Sequence, residues 1–148
     1  MKLDVNVEEV GKRAKYLYLN GYSCSEALVS TIIEKFELDV PQSVVKMATG
    51  LAGGIGKTGE ACGALTGGVM ALGILFGRDH IEENPIGDQT FAKELLEYFV
   101  ENNSFNSLKC QVLTEGFDTD EGEHKQHCSE FVAMIAEKAS HMIIDRLK

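Results

Sequence analysis

Apolar residues recur every three or four positions along most of this chain, and no run alternates with period two for long enough to propose a sheet. Val10, Ala14, Leu17 and Tyr18 form one face of a first helix, which Gly21 stops. Ser23-Cys24-Ser25-Glu26 then spells a capping box. The serine oxygen accepts from the amide three residues on, and the glutamate there reaches back to the serine amide. Leu28, Ile32 and Phe36 line the second helix that follows. Pro41 suits the first turn of a third helix, running through Val44, Val45 and Met47 to about Gly50.

A glycine-rich loop spans Gly50 to Gly59, and a charge-free segment follows from Ala61 to Gly77. That segment falls short of the ~20 residues a membrane crossing needs. Glu60 and Arg78 bound it, and Gly63, Gly67, Gly68, Gly73 and Gly77 make it a poor lipid-facing helix. It reads as a buried central helix. A turn at Asn84-Pro85 leads to a helix with Phe91, Leu95, Leu96 and Phe99 on one side. Asn106 or Ser107 would cap a short helix holding Leu108, Cys110 and Leu113. Asp118 to Glu123 reads as an exposed acidic loop, and Phe131, Ile135, Ala139 and Met142 mark the last helix. With no internal repeat, low-complexity stretch or linker, the expectation is all-α. One domain over residues 1–148 would be a bundle of about six helices around the glycine-rich one.

Composition adds limits. The 148 residues, 44% of them hydrophobic, can bury a core without disulfide staples. A formal net charge of -9 argues against a nucleic-acid backbone or an anionic membrane surface as partner, since both require a positive patch. Met1-Lys2-Leu3-Asp4-Val5 lacks the basic and apolar regions of a secretory signal. The expected compartment is the cytoplasm, where thiols are normally kept reduced.

The chemistry then rests on four cysteines, Cys24, Cys62, Cys110 and Cys128. No two form CxxC, so zinc-ribbon, ferredoxin and c-type haem patterns are absent. Each is assigned to a first helical turn or beside one. Cys24 is at N1 behind Ser23, and Cys62 follows Thr58 as a cap. Cys110 follows Asn106/Ser107, and Cys128 lies where the last amphipathic pattern begins. Unpaired amides and the macrodipole favour negative charge at such places, and the thiolate is both nucleophile and metal ligand. The plainer alternative is four buried cysteines acting as small hydrophobes. Cys62 has its own packing explanation, because Gly63 and Gly67 at i and i+4 would admit a close neighbouring helix.

Other signals are weaker. Gly54-Ile55-Gly56-Lys57-Thr58-Gly59 satisfies GxGxxG without the strand that gives this pattern meaning. Gly56-Lys57-Thr58 imitates a P-loop end, but Leu51 stands where its first glycine belongs. The loop reads as a tight turn that brings Cys62 near another backbone, with Lys57 able to steady a thiolate. His124 and His127 precede Cys128 and are expected to be solvent-exposed; the alternative is that one completes a metal site or activates the thiol. Glu60 is either a proton carrier for Cys62 or a favourable charge at a helix start.

Cys24, then Cys62-Gly63-Ala64-Leu65-Thr66-Gly67, then Cys110 and Cys128 resemble the C_GCAxxG_C_C proteins, a family assigned as redox-active, across nearly the whole chain. Here glycine follows the central cysteine, whereas the family label puts it first. The resemblance implies a redox role for Cys24, Cys62, Cys110 and Cys128. Split-Soret cytochromes look like distant relatives, but they bind haem through motifs this chain lacks.

Three functions are open at this point. The first is a thiol–disulfide or electron-transfer protein, pairing Cys24 with Cys62 and Cys110 with Cys128 and needing no cofactor. It would serve a redox partner protein or a small thiol or disulfide substrate, as an oxidoreductase or a carrier. The second is a metal-binding protein, with the same four cysteines on zinc or an iron–sulfur cluster. The third is a non-catalytic helical module. A homodimer is compatible with each.

Overall fold

The serine–glutamate capping box closes in both directions. Ser23 N donates to Glu26 Oε1 at 3.0 Å, and Glu26 N donates to Ser23 Oγ at 3.3 Å. A cap of this kind stabilises a helix by about 1 kcal/mol. It starts α2, Cys24–Lys35, directly on the first cysteine. The computed structural model describes residues 1–83, 88–118 and 122–148. Ahead of α2, α1 (Val7–Leu19) begins where Asn6 Oδ1 accepts from Glu9 N at 3.1 Å, and it buries Val10, Ala14 and Tyr18. Gly21, with φ at +130°, separates the two helices.

The third element is a 3-10 helix, Gln42–Leu51, and not the α-helix expected from Pro41. Its buried residues, Val45 and Ala48, lie three apart, which suits a turn of three residues. Met47, expected on the apolar face, is 71% exposed. Next comes the short element α3, Ala52–Ile55, where the chain turns left-handed. Gly53, Gly54, Ile55, Gly56 and Lys57 all have φ between +62° and +72°. Thr58 Oγ1 donates to the carbonyls of Gly54 at 2.7 Å and Ile55 at 2.9 Å, so it tightens this turn and does not cap the next helix.

That next helix, α4 (Gly63–Phe76), is the buried glycine-rich centre. It packs on α2, on α5 (Thr90–Glu101) and on α7 (Gly122–Leu147). Two glycines let it approach. A Cβ on Gly67 would lie 2.7 Å from Ser25 Cα and Ser25 O; one on Gly68 would lie 2.5 Å from Ile135 Cγ2. Among the described residues no helix is long and apolar enough to cross a membrane.

On α5 the buried positions are Phe91, Leu95 and Phe99; Leu96 turns outward at 38% exposed. The short helix α6, Cys110–Leu113, takes Lys109 as its N-cap, later than Asn106 or Ser107. Ser107 instead accepts from Lys109 N at 3.1 Å, and Asn106 has left-handed φ. The long helix α7 starts at Gly122, inside the expected acidic loop, of which Asp118 is exposed. Residues 119–121 and the Asn84-Pro85 turn lie outside the described residues. Phe131, Ile135, Ala139 and Met142 are buried as the spacing predicts.

The described residues thus hold seven α-helices and the 3-10 segment around one core, with no strand beyond the isolated bridge Ala61–Lys109. Each large apolar side chain sealed in that core contributes about 1.5–3 kcal/mol relative to exposure.

Candidate four-cysteine site

Four distant segments bring all four cysteines to the wall of one cavity of about 680 Å³. Cys24 is the first residue of α2, Cys62 is the N-cap of α4, and Cys110 is the first residue of α6. Cys128 lies in the second turn of α7, past the first turn where it was expected. All four are free thiols, and Cys62 is buried. Tyr18, Lys57, His124, Lys125 and Phe131 share the lining.

Backbone contacts explain the convergence. Cys62 N donates to Leu108 O at 2.7 Å and Cys110 N donates to Glu60 O at 2.6 Å, either side of the antiparallel bridge Ala61–Lys109. Alternate residues of such a ribbon share a side, so Cys62 and Cys110 project the same way as diagonal neighbours. Three glycines make room for cysteine-bearing segments. A Cβ on Gly63 would strike Cys24 Sγ, and one on Gly67 would strike the Ser25 backbone. A Cβ on Gly54 would lie 2.7 Å from Cys110 Cβ and 2.5 Å from Glu60 N. Both glycines of Cys62-Gly63-Ala64-Leu65-Thr66-Gly67 therefore seat the Cys24–Ser25 start of α2. Ser25 Oγ, buried, ties that start to the 3-10 segment through Ala48 O at 2.8 Å.

Residues 22–142 match the family described as "Putative redox-active protein (C_GCAxxG_C_C)". The chain belongs to that family. An uncharacterized protein of Archaeoglobus fulgidus is 27% identical over 138 residues, covering 88% of this chain and 90% of its own. No solved structure matches. The span that matches the C_GCAxxG_C_C family contains every cysteine; Tyr18, on the same cavity, precedes it.

The electrostatics of this C_GCAxxG_C_C site run opposite to the expectation from helix starts. Burial raises the pKa of all four thiols above the ordinary value. Backbone amides do pull down, from Gly53 and Ser25 on Cys24 and from Ala64 and Leu65 on Cys62, but desolvation outweighs them. Burial pushes Cys128 up to about 12, with the charges of Cys110 and Cys24 adding to it. At neutral pH the cavity holds four uncharged thiols.

Two polar groups meet Cys128. Tyr18 lines the same cavity and favours the charged form of the thiol, and His124 Nε2 lies 3.6 Å from Sγ. Both histidines, expected to be solvent-exposed, are half-buried on α7. His127 donates from Nε2 to Leu113 O at 2.7 Å and stacks on Phe117, so it belongs to the packing. His124 and Cys128 are four apart and share a helix face. That signal was present in the sequence once the helix start was known; Tyr18 gave none, since its spacing marked it as core. Glu60 has an exposed side chain outside the lining, which leaves the proton-carrier reading without support. The GxGxxG loop supplies Lys57 to the cavity wall through its left-handed turn. Among the described residues no group of three or more His, Cys, Asp and Glu side chains is placed to hold a metal ion.

Proposed function

We propose that this C_GCAxxG_C_C protein is a dithiol–disulfide redox protein, carrying electron pairs on Cys24 with Cys62 and on Cys110 with Cys128. The observation that carries the reading is the shared cavity, to which four separate segments each bring one free thiol. Charge influences run from Cys24 to Cys62 and from Cys110 to both Cys128 and Cys24, and those on Cys62 and Cys128 agree with this pairing. Cys62 feels the charge of Cys24 before that of Cys110, and Cys128 feels that of Cys110 before that of Cys24. Cys24 Sγ also rests against Gly63, the residue after Cys62.

Each pair would give up two electrons and two protons as its S–S bond forms, while a disulfide substrate takes both and leaves as two thiols. Four uncharged thiols suit such a store, because the reduced form then carries no repelling charges in an apolar cavity. A zinc or iron–sulfur centre would instead need all four sulfurs drawn inward to about 2.3 Å from a metal.

The test is a count of free thiols in the folded protein, before and after equilibration with oxidised glutathione. The expected result is a fall from four to none, two at a time, with no disulfide formed to another chain and no glutathione retained. Four thiols that stay unreacted while the protein is folded would contradict the proposal.

A further inference from the structure

We infer that Cys128 is the thiol that first attacks an incoming disulfide, with His124 as its proton acceptor and Tyr18 as the hydrogen-bond donor that steadies its sulfur. This rests on the dithiol–disulfide reading of the same cavity. His124 Nε2 is 3.6 Å from Cys128 Sγ, and Tyr18 of α1 lines the same cavity with a hydroxyl that favours the charged thiol. Among the described residues none of the other three sulfurs has a histidine partner. Cys62 is only 8% exposed, and Cys24 is pressed against Gly63. Cys110 has Thr114 beside it, a hydroxyl and not a base.

The groups facing His124 keep its ring ready to accept a proton. Burial lowers its pKa first, then the positive charges of His127 and Lys125, while Asp118 acts the other way. Tyr18, Cys24, Lys57 and Cys110 face it across the cavity, on α1, α2, the left-handed turn and α6. Its Nδ1 is buried with no hydrogen-bond partner among the described residues, so nothing there supports an imidazolium. These groups favour the neutral ring, and the tautomer with Nε2 unprotonated takes the Sγ proton.

Because Cys128 holds that proton tightly, the transfer accompanies attack and does not precede it. Sγ bonds to one substrate sulfur as the substrate S–S bond breaks. The proton passes from Sγ to Nε2 and then to the departing sulfur, which leaves as a thiol. Cys110 next attacks Cys128 Sγ. The mixed disulfide breaks, the Cys110 proton goes with the second departing sulfur, and a Cys110–Cys128 disulfide remains. Two protein thiols are oxidised and one substrate disulfide is reduced.

The probe is 4,4′-dithiodipyridine, a small neutral disulfide, added in less than stoichiometric amount to the folded protein and quenched at short times. Peptide mass mapping identifies the first cysteine modified, and the rate is followed from about pH 6 to 9. Cys128 is expected first. His124→Gln is expected to slow its modification by about 100-fold at pH 7, with a steeper rise in rate at higher pH. Tyr18→Phe should slow it less and leave the shape of the profile unchanged. First modification at Cys24, Cys62 or Cys110, which needs no variant to detect, would overturn the inference. So would a folded His124→Gln protein reacting at the unaltered rate. Cys128 reacting first while thiols never disappear in pairs would sink the paired-cysteine reading and the Cys110 step with it, and leave Cys128 with His124 as the attacking pair.

Discussion

The two halves of the cavity hold their cysteines by different means. Cys24 and Cys62 are held by packing, with a sulfur against Gly63, the Ser25 backbone against Gly67, and helix-start amides around both. On the other side, Cys128 is set among polar side chains, Tyr18 and His124, and Cys110 hangs from a two-bond bridge and the left-handed turn. Burial raises all four thiols, so local charge does not distinguish the halves. The contrast lies in what a substitution removes. In the packed half it removes stability; in the polar half it removes reactivity while the fold remains.

The largest expected effect is at the junction of the halves. Gly54→Ala forces a left-handed backbone on alanine, at about 1–2 kcal/mol. It also drives a methyl into Glu60 and Cys110, at about 1–3 kcal/mol more. Gly67→Ala carries only the second kind of penalty, against Ser25. Urea unfolding at pH 7 should rank Gly54→Ala below Gly67→Ala, and both below the unaltered chain; equal stabilities would break the packing account. His124→Gln should stay within about 0.5 kcal/mol of the unaltered chain, as expected where no packing is lost.

Alkali comes next. A thiol whose pKa is raised in the folded state keeps its proton while the unfolded chain loses one. Stability is therefore intact below about pH 8.5, where the unfolded thiol titrates, and falls as pH rises beyond it. At pH 10 one deeply buried thiol such as Cys62 should cost about 2 kcal/mol. Comparing urea unfolding of the unaltered chain and Cys62→Ala at pH 7 and pH 10 isolates that part. A variant with the same pH loss as the unaltered chain would show that Cys62 ionises freely when folded. The smallest effect is at the cap. Ser23→Ala should lower stability by about 1 kcal/mol, because the lost hydroxyl accepts from Glu26 N and donates to Glu26 Oε1.

Much of the fold was legible because it is written locally. The i, i+4 spacing of Val10 and Ala14 or of Phe131 and Ile135, and the Ser23–Glu26 box, need only neighbours to act. The third element was misread because the spacing of Val45 and Ala48 decides between an α and a 3-10 turn only once the face meeting the core is known. Five consecutive positive φ values include Ile55 and Lys57, residue types that carry no such signal. At the site, the cysteines themselves stood out, and so did the small residues after Cys62. The sign of their electrostatics did not. Desolvation depends on how deeply a side chain is covered, and that is a property of the assembled helices. His124 was hidden by the acidic residues before it, which read as loop although Gly122 already begins α7.

The proposed function requires four sulfurs from distant stretches to act as two partnered pairs within one chain. Stepwise oxidation of the folded protein, followed by mapping of disulfide-linked peptides, tests it most directly. The account predicts links from Cys24 to Cys62 and from Cys110 to Cys128, both intramolecular. Links that form only between chains, or only after the protein is unfolded, would contradict it.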